Sequence, residues 1–189
     1  MRIYLVTDER LLLGKDLYRT VEAAVKGGVS MVQLREKESS TREFVERAIR
    51  LKEVLTPYGV PLIINDRVDV ALAADADGVH VGQSDMLYEM VKRLLPEGKI
   101  IGLSVESPEQ VLEANNYDLD YVAASPVFST TTKTNTIVEW GLDGLRWIRS
   151  VSRHPLVAIG GIHSNNVASI FKAGADSVAV ISAIVSADD

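Results

Sequence analysis

Short apolar runs rich in β-forming residues recur along the whole chain. They are Ile3–Val6, Met31–Leu34, Pro61–Ile64, Gly78–Val81, Ile100–Leu103, Tyr121–Ala124, Leu156–Ile159 and Ser177–Val180. Nearly continuous apolar character over so few residues reads as strands buried on both faces. Between the runs, apolar residues fall at helical spacing. Phe44, Ala48, Leu51 and Leu55 share one face of a helix that should start from a cap at Ser40 or Thr41. Val111 with Ala114, and Leu142 with Leu145 and Ile148, mark two more. Asn165 to Ala173 gives another, ended by Gly174.

Eight strands alternating with helices predict a parallel sheet, and eight is the number that closes a (β/α)8 TIM barrel. Three phrases pass from a helix end into a strand in the same manner: Gly27-Gly28-Val29-Ser30-Met31-Val32-Gln33, Ala74-Asp75-Ala76-Asp77-Gly78-Val79-His80-Val81 and Ala173-Gly174-Ala175-Asp176-Ser177-Val178-Ala179-Val180. This is helix-exit chemistry reused from one unit to the next. An open doubly wound sheet is the competing architecture; eight evenly spaced units favour the barrel. No linker or low-complexity tract divides the chain, so residues 1–189 are expected to form one domain. The chain is short for such a barrel, which typically needs about 250 residues. It also stops soon after the eighth strand, so the final helix is expected to be lacking.

With 189 residues the chain can bury a full core. It is 47% hydrophobic and 24% charged, the balance of a soluble globular protein. A formal net charge of −6 gives no electrostatic footprint for nucleic acid, so any anion must be held locally. The chain contains no cysteine, which excludes disulfides, thiolate metal sites and cysteine nucleophiles. The N-terminal Met1-Arg2-Ile3-Tyr4-Leu5-Val6 turns polar too soon for a signal peptide, and no apolar run reaches membrane-spanning length. A cytoplasmic protein is the expectation.

The densest chemistry is Gln33-Leu34-Arg35-Glu36-Lys37. On an extended strand Gln33, Arg35 and Lys37 point the same way, a column of donors with two positive charges. Like charges on one face are costly unless a negative charge lies between them. No acid in the stretch shares that face, because Glu36 alternates to the other side. The simplest remedy is an anionic ligand such as a phosphate or diphosphate; the plain alternative is a solvated strand end. Barrel sites form at the C-terminal ends of strands, and polar residues and glycines collect there: Asn65 and Asp66, His80 to Asp85, Ser104, Ser125 to Lys133, Gly160 and Gly161, Ile181 and Ser182. Asp66 and Asp85 are oxygen ligands on neighbouring units, suited to Mg²⁺ that keeps waters and phosphate oxygens. Alternatively, Asp85 caps a helix over Met86–Leu94 and Asp66 caps a loop with Asn65. Thr130, Thr131, Thr132 and Lys133 form a hydroxyl-rich loop ending in a cation, fit for a phosphate or merely a polar loop. Gly160-Gly161 permits a ligand to approach the backbone or makes a tight turn. No Ser/His/Asp relay or histidine metal spacing emerges among His80, His154 and His163.

Together these residues resemble the thiamine-phosphate synthase family along nearly the whole chain. The matching segments are Tyr4–Asp8, Val32–Lys37, Ile64–Arg67, Gly78–Asp85, Ile101–Ser104, Pro126–Lys133, Ile159–Ile162 and Val180–Ile184. The resemblance implies a transferase that joins 4-amino-2-methyl-5-hydroxymethylpyrimidine diphosphate to a thiazole phosphate, giving thiamine phosphate and diphosphate. By carry-over, Gln33, Arg35, Lys37, Asn65, Ser104 and Lys133 would hold the pyrimidine diphosphate, within the run that also carries Leu34 and Glu36. Arg35, Lys37 and Lys133 would carry the catalytic charge. Asp66 and Asp85 would hold Mg²⁺. Thr130, Thr132, Gly161, Ile181 and Ser182, with Thr131 in the same loop, would hold the thiazole phosphate. The implied partners are small molecules, without nucleic acid or membrane, and homo-oligomerisation is left open. Ala123-Ala124-Ser125 and Ser129 depart from the family, which has glycine-rich sequence before Pro126 and a second proline before the threonines. The nearest rival is the related thiazole tautomerase, whose histidine in the loop after strand 6 is replaced here by Pro126. A non-catalytic barrel that binds thiamine phosphates is the alternative from another class. A phosphosugar isomerase would need an evident acid–base pair.

Overall fold

The computed structural model describes residues 2–129 and 139–187. Eight parallel strands close on themselves in the order β1 to β8. They are β1 (Arg2–Val6), β2 (Val29–Leu34), β3 (Leu62–Asn65), β4 (Gly78–Val81), β5 (Ile100–Val105), β6 (Tyr121–Ala124), β7 (Leu156–Ile159) and β8 (Ser177–Val180). The helices between them are α1 (Leu17–Lys26), α2 (Thr41–Leu55), α3 (Val68–Ala73), α4 (Tyr88–Leu94), α5 (Pro108–Ala114), α6 (Gly141–Val151) and α7 (Val167–Lys172). The barrel is shut by β1 pairing with β8, Ile3 opposite Val178 and Leu5 opposite Val180. The alternating apolar runs had predicted this closed sheet, and every run coincides with a strand.

Strand parity divides the core in two. Leu5, Val32, Leu34, Leu62, Ile64 and Val79 face outward and pack against the helices. Tyr4, Val6, Ile63, Tyr121, Ala123, Val157 and Ala179 face inward and fill the barrel. Helix α2 lays Phe44, Ala48, Leu51 and Leu55 on the sheet, all buried, as its spacing requires. Its cap is Ser40 and not Thr41: the Ser40 hydroxyl accepts from the Glu43 amide while the Glu43 carboxylate reaches back, a complete capping box. The last helix is not wholly lacking. One turn, α8 (Ser182–Val185), follows β8, with Val185 buried and the Ser186 hydroxyl donating to the Leu11 carbonyl at 3.0 Å. That turn packs against the short helical turn Glu9–Leu12 that follows β1.

Two inner-layer glycines are fixed by space. A Cβ on Gly102 would lie 2.1 Å from the Tyr121 ring, and one on Gly78 would lie 2.2 Å from the Ile100 carbonyl oxygen. The missing side chain at Gly102 is the slot into which Tyr121 fits. Gly102→Ala is therefore expected to lower unfolding free energy by about 1–3 kcal/mol, the usual cost of overpacking a dense core. Chemical denaturation measures it; an unchanged midpoint would mean that Tyr121 has room to move.

Candidate active site

The C-terminal ends of the strands surround one cavity of about 600 Å³. That is the size of a pocket for a small organic molecule. Gln33, Arg35 and Lys37 line it in a column, as strand parity requires. Leu34 and Glu36 do not. Leu34 is fully buried in the outer core, and the Glu36 carboxylate turns away into a clamp of its own. It accepts from Arg47 Nη1 and Ser39 Oγ, each at 2.7 Å, and burial pushes its carboxyl upward. Arg47, standing on α2, also reaches Glu9 after β1. These two members of the expected binding run serve the fold through their side chains, because the strand turns each to its outer face.

The cation column has counter-charges within the protein, from acids outside the Gln33–Lys37 stretch, in addition to whatever a ligand or solvent supplies. Arg35 Nη1 donates to Asp8 Oδ2 at 2.6 Å, and Lys37 is ion-paired with Asp66. Asp8 follows β1, is almost wholly buried, and caps the next turn by accepting from the Arg10 amide at 3.1 Å. The Arg35 amide donates to the Thr7 hydroxyl at 3.1 Å. Thr7 and Asp8 thus fix Arg35 by backbone and side chain together. The residue-by-residue reading missed this role because the acid lies one strand away; an acid ending the strand that pairs with β2 was the available signal.

Asp66 and Asp85 meet at the rim. Asp66 is in the left-handed backbone region, φ 62°, with its amide donating to the His80 carbonyl at 2.8 Å. Asp85 accepts from the Gly82 amide at 2.7 Å. It caps no helix, since α4 starts at Tyr88 with Leu87 in the cap position. Burial, and then the Asp66 carboxylate beside it, raise the Asp85 carboxyl above its ordinary value. Asn65 is buried on the cavity wall, and Ser104 lines the cavity from β5, its backbone carbonyl accepting from Gln83 Nε2 at 2.6 Å. On the far wall stand Gly161, Ile181 and Ser182. Gly160 and Gly161 have φ of 102° and 64°, which favours glycine, and the loop after β6 packs tightly on them. A Cβ on Gly160 would meet Pro126 at 2.7 Å, and one on Gly161 the Ser129 carbonyl oxygen at 2.7 Å. The pair therefore admits a protein loop. Thr130, Thr131, Thr132 and Lys133 lie outside the described residues. His154 is far from this rim, buried between the Ala114 and Leu119 carbonyls.

Architecture and rim define a (β/α)8 barrel built around a charged cavity of small-molecule size. Its ancestry is specific. The chain belongs to the thiamine monophosphate synthase family, whose model matches residues 3–184. It is 52% identical over 189 residues to the thiamine-phosphate synthase of Albidiferax ferrireducens, covering 100% of this chain and 86% of that protein. It is 50% identical to the thiamine-phosphate synthase of Vibrio campbellii, covering 100% and 92%. Among solved structures, thiamine phosphate pyrophosphorylase from Pyrococcus furiosus superposes with a TM-score of 0.90 at 41% identity, covering 100% of this chain and 89% of that one.

The backbone at Asp66 generates a stability test. A non-glycine residue in the left-handed region costs about 1–2 kcal/mol, and Asp or Asn offsets it with local hydrogen bonds. The Lys37 partner is half exposed and adds little. Asp66→Ala should be about 1 kcal/mol less stable than Asp66→Asn in urea unfolding. Equal stabilities would show that the backbone there is unstrained.

Proposed function

We propose that this chain joins 4-amino-2-methyl-5-hydroxymethylpyrimidine diphosphate to a thiazole phosphate and releases diphosphate and thiamine phosphate. The observation that carries this reading is the column Gln33, Arg35 and Lys37 lining one cavity together with the Asp66/Asp85 pair, with Lys37 already in contact with Asp66. Membership of the family supplies the identity of the substrates.

Mg²⁺ fits the donor set. Two carboxylates close enough for one to raise the other, as Asp66 does to Asp85, gain from a shared cation. Both line the cavity, where a diphosphate and water would have access to a cation held by them. Bound there, Mg²⁺ would neutralise charge on the leaving diphosphate. Asp66 and Asp85 would hold it.

The chain's own residues do the rest. Arg35, already aimed by Asp8 and Thr7, presents its remaining guanidinium donors to the diphosphate. Lys37 and Lys133 add point charges, and Gln33, Asn65 and Ser104 orient the pyrimidine diphosphate. Heterolysis of the methylene–oxygen bond sends the electron pair to the diphosphate and leaves a cation that the pyrimidine amino group stabilises. The thiazole nitrogen attacks that cation, with its phosphate held by Thr130, Thr132, Gly161, Ile181 and Ser182. No protein nucleophile is required, and catalysis consists of positioning and electrostatics. Among the described residues no helix is long and apolar enough to cross a membrane. Small-molecule substrates and a chain without cysteine suit a reducing cytoplasm.

Incubating the chain with both substrates should yield thiamine phosphate and diphosphate in equal amounts with Mg²⁺ and almost none after chelation. Absence of product with Mg²⁺ present would sink the assignment. Arg35→Lys keeps the charge beside Asp8 but loses the planar fork. That variant and Lys133→Ala should each lower turnover by at least about 100-fold, the scale for one preorganised charge-stabilising donor. Their unfolding midpoints should barely move.

A further inference from the structure

Five side chains from five strands form one hydrogen-bonded chain across the floor of the cavity. Gln33 Nε2 donates to Tyr4 Oη at 2.6 Å. Tyr4 Oη and Tyr121 Oη are 2.9 Å apart. Tyr121 Oη lies 3.0 Å from His80 Nδ1, and His80 Nε2 lies 2.9 Å from Ser104 Oγ. The two phenol rings meet edge to face, and Tyr121 stacks on the imidazole with ring planes 15° apart. Both tyrosines are buried, and burial keeps their hydroxyls protonated far above the ordinary range. They are therefore permanent donors.

Donor accounting gives the chain a direction. The Gln33 amide nitrogen can only donate, so Tyr4 accepts there and spends its own proton on Tyr121. Tyr121, having accepted, donates to His80 Nδ1. An imidazole that accepts at Nδ1 carries its proton on Nε2, and that proton goes to Ser104 Oγ. Ser104 has then accepted, and its hydroxyl proton is free to point into the cavity it lines. The opposite polarity would turn the Gln33 oxygen to Tyr4, place the proton on Nδ1, and consume the Ser104 proton at Nε2. The cavity would then meet a lone pair, which repels a phosphate oxygen or a ring nitrogen.

We propose that Tyr4, Tyr121 and His80 are positioning residues that set the polarity of Ser104, holding its hydroxyl as a donor toward an acceptor atom of the pyrimidine diphosphate. They act through Ser104 and touch no reacting atom. The ligand named here rests on the synthase reading; the polarity rests on the Gln33 amide nitrogen facing Tyr4 and on the hydrogen bonds that link Tyr4 to Ser104.

Two measurements test it with different dependences. Nitrogen-15 chemical shifts of the histidines in the folded, substrate-free chain read the His80 tautomer without any assay of activity. A protonated Nε2 and an unprotonated Nδ1 are expected, and in Tyr121→Phe the Nδ1 shift should move toward that of a nitrogen that accepts no hydrogen bond, while the proton stays on Nε2 opposite Ser104. A wild-type chain with the proton on Nδ1 would overturn the proposal, whatever its activity. The second measurement is a double-mutant cycle on thiamine phosphate formation. Tyr121→Phe keeps the ring that fills the Gly102 slot and removes one hydroxyl, so folding should survive. It should lower kcat/KM about 10-fold, the scale of one lost hydrogen bond at the strong end. In a Ser104→Ala background the same change should have almost no effect. Tyr4→Phe should cost less, because Tyr121 can still donate to His80. Full additivity of Tyr121→Phe with Ser104→Ala would assign the tyrosine a structural role and reject the relay. A wild-type chain that makes no thiamine phosphate would reject the synthase reading and leave the tautomer result standing.

Discussion

Everything in this molecule depends on the closure of eight parallel strands whose side chains alternate between two cores. Closure leaves no free edge, and parity sends every second residue to the interior. Below the rim the inward positions are filled by Tyr4, Val6, Ile63, Tyr121, Val157 and Ala179. Above it, the same parity lifts Gln33 and Arg35 into the cavity and turns Leu34 to the helices. The site is thus the upper layer of a packing scheme, and its precision comes from the density of the layer beneath.

At the rim a net-negative chain gathers cations around one cavity. The cations are not left bare. Asp8 holds Arg35 and Asp66 holds Lys37, each acid coming from the end of an adjacent strand. A paired cation costs less to keep partly buried and is already aimed when a ligand arrives. The pairs also link the two functions expected of this rim. Asp66 is partner to Lys37 and neighbour to Asp85, so the proposed metal and diphosphate sites would share a residue. A cation arriving on the carboxylates would leave Lys37 free to turn to the diphosphate.

Beneath the rim, polarity is carried inward by hydrogen bonds. A barrel interior of aliphatic residues alone would make an indifferent floor. The Tyr4–Tyr121–His80 chain makes it directional while satisfying its own donors; among the described residues no buried side-chain nitrogen or oxygen lacks a partner. The glycine at position 102 pays the space for this arrangement, since only an absent side chain lets Tyr121 lean across β5.

The sequence by itself determined the strands, because buried parallel strands are continuous apolar runs and each was legible without context. It determined the faces of Phe44, Ala48, Leu51 and Leu55, and it singled out the Gln33–Lys37 column and the Asp66/Asp85 pair, since alternation and strand ends are local properties. Tertiary structure alone decided which acid answers which base. Asp8 and Arg35 are 27 residues apart and meet only because β1 and β2 are neighbours in the sheet. It decided that Asp85 is no helix cap, because α4 starts later than its apolar pattern suggested, and that one helical turn follows the last strand. It also decided that Gly160 and Gly161 make room for the loop after β6. The polarity of Ser104 depends on five strands at once. Local patterns report what one segment prefers, whereas a pair or a relay exists only after the barrel has closed and brought separate segments to one rim.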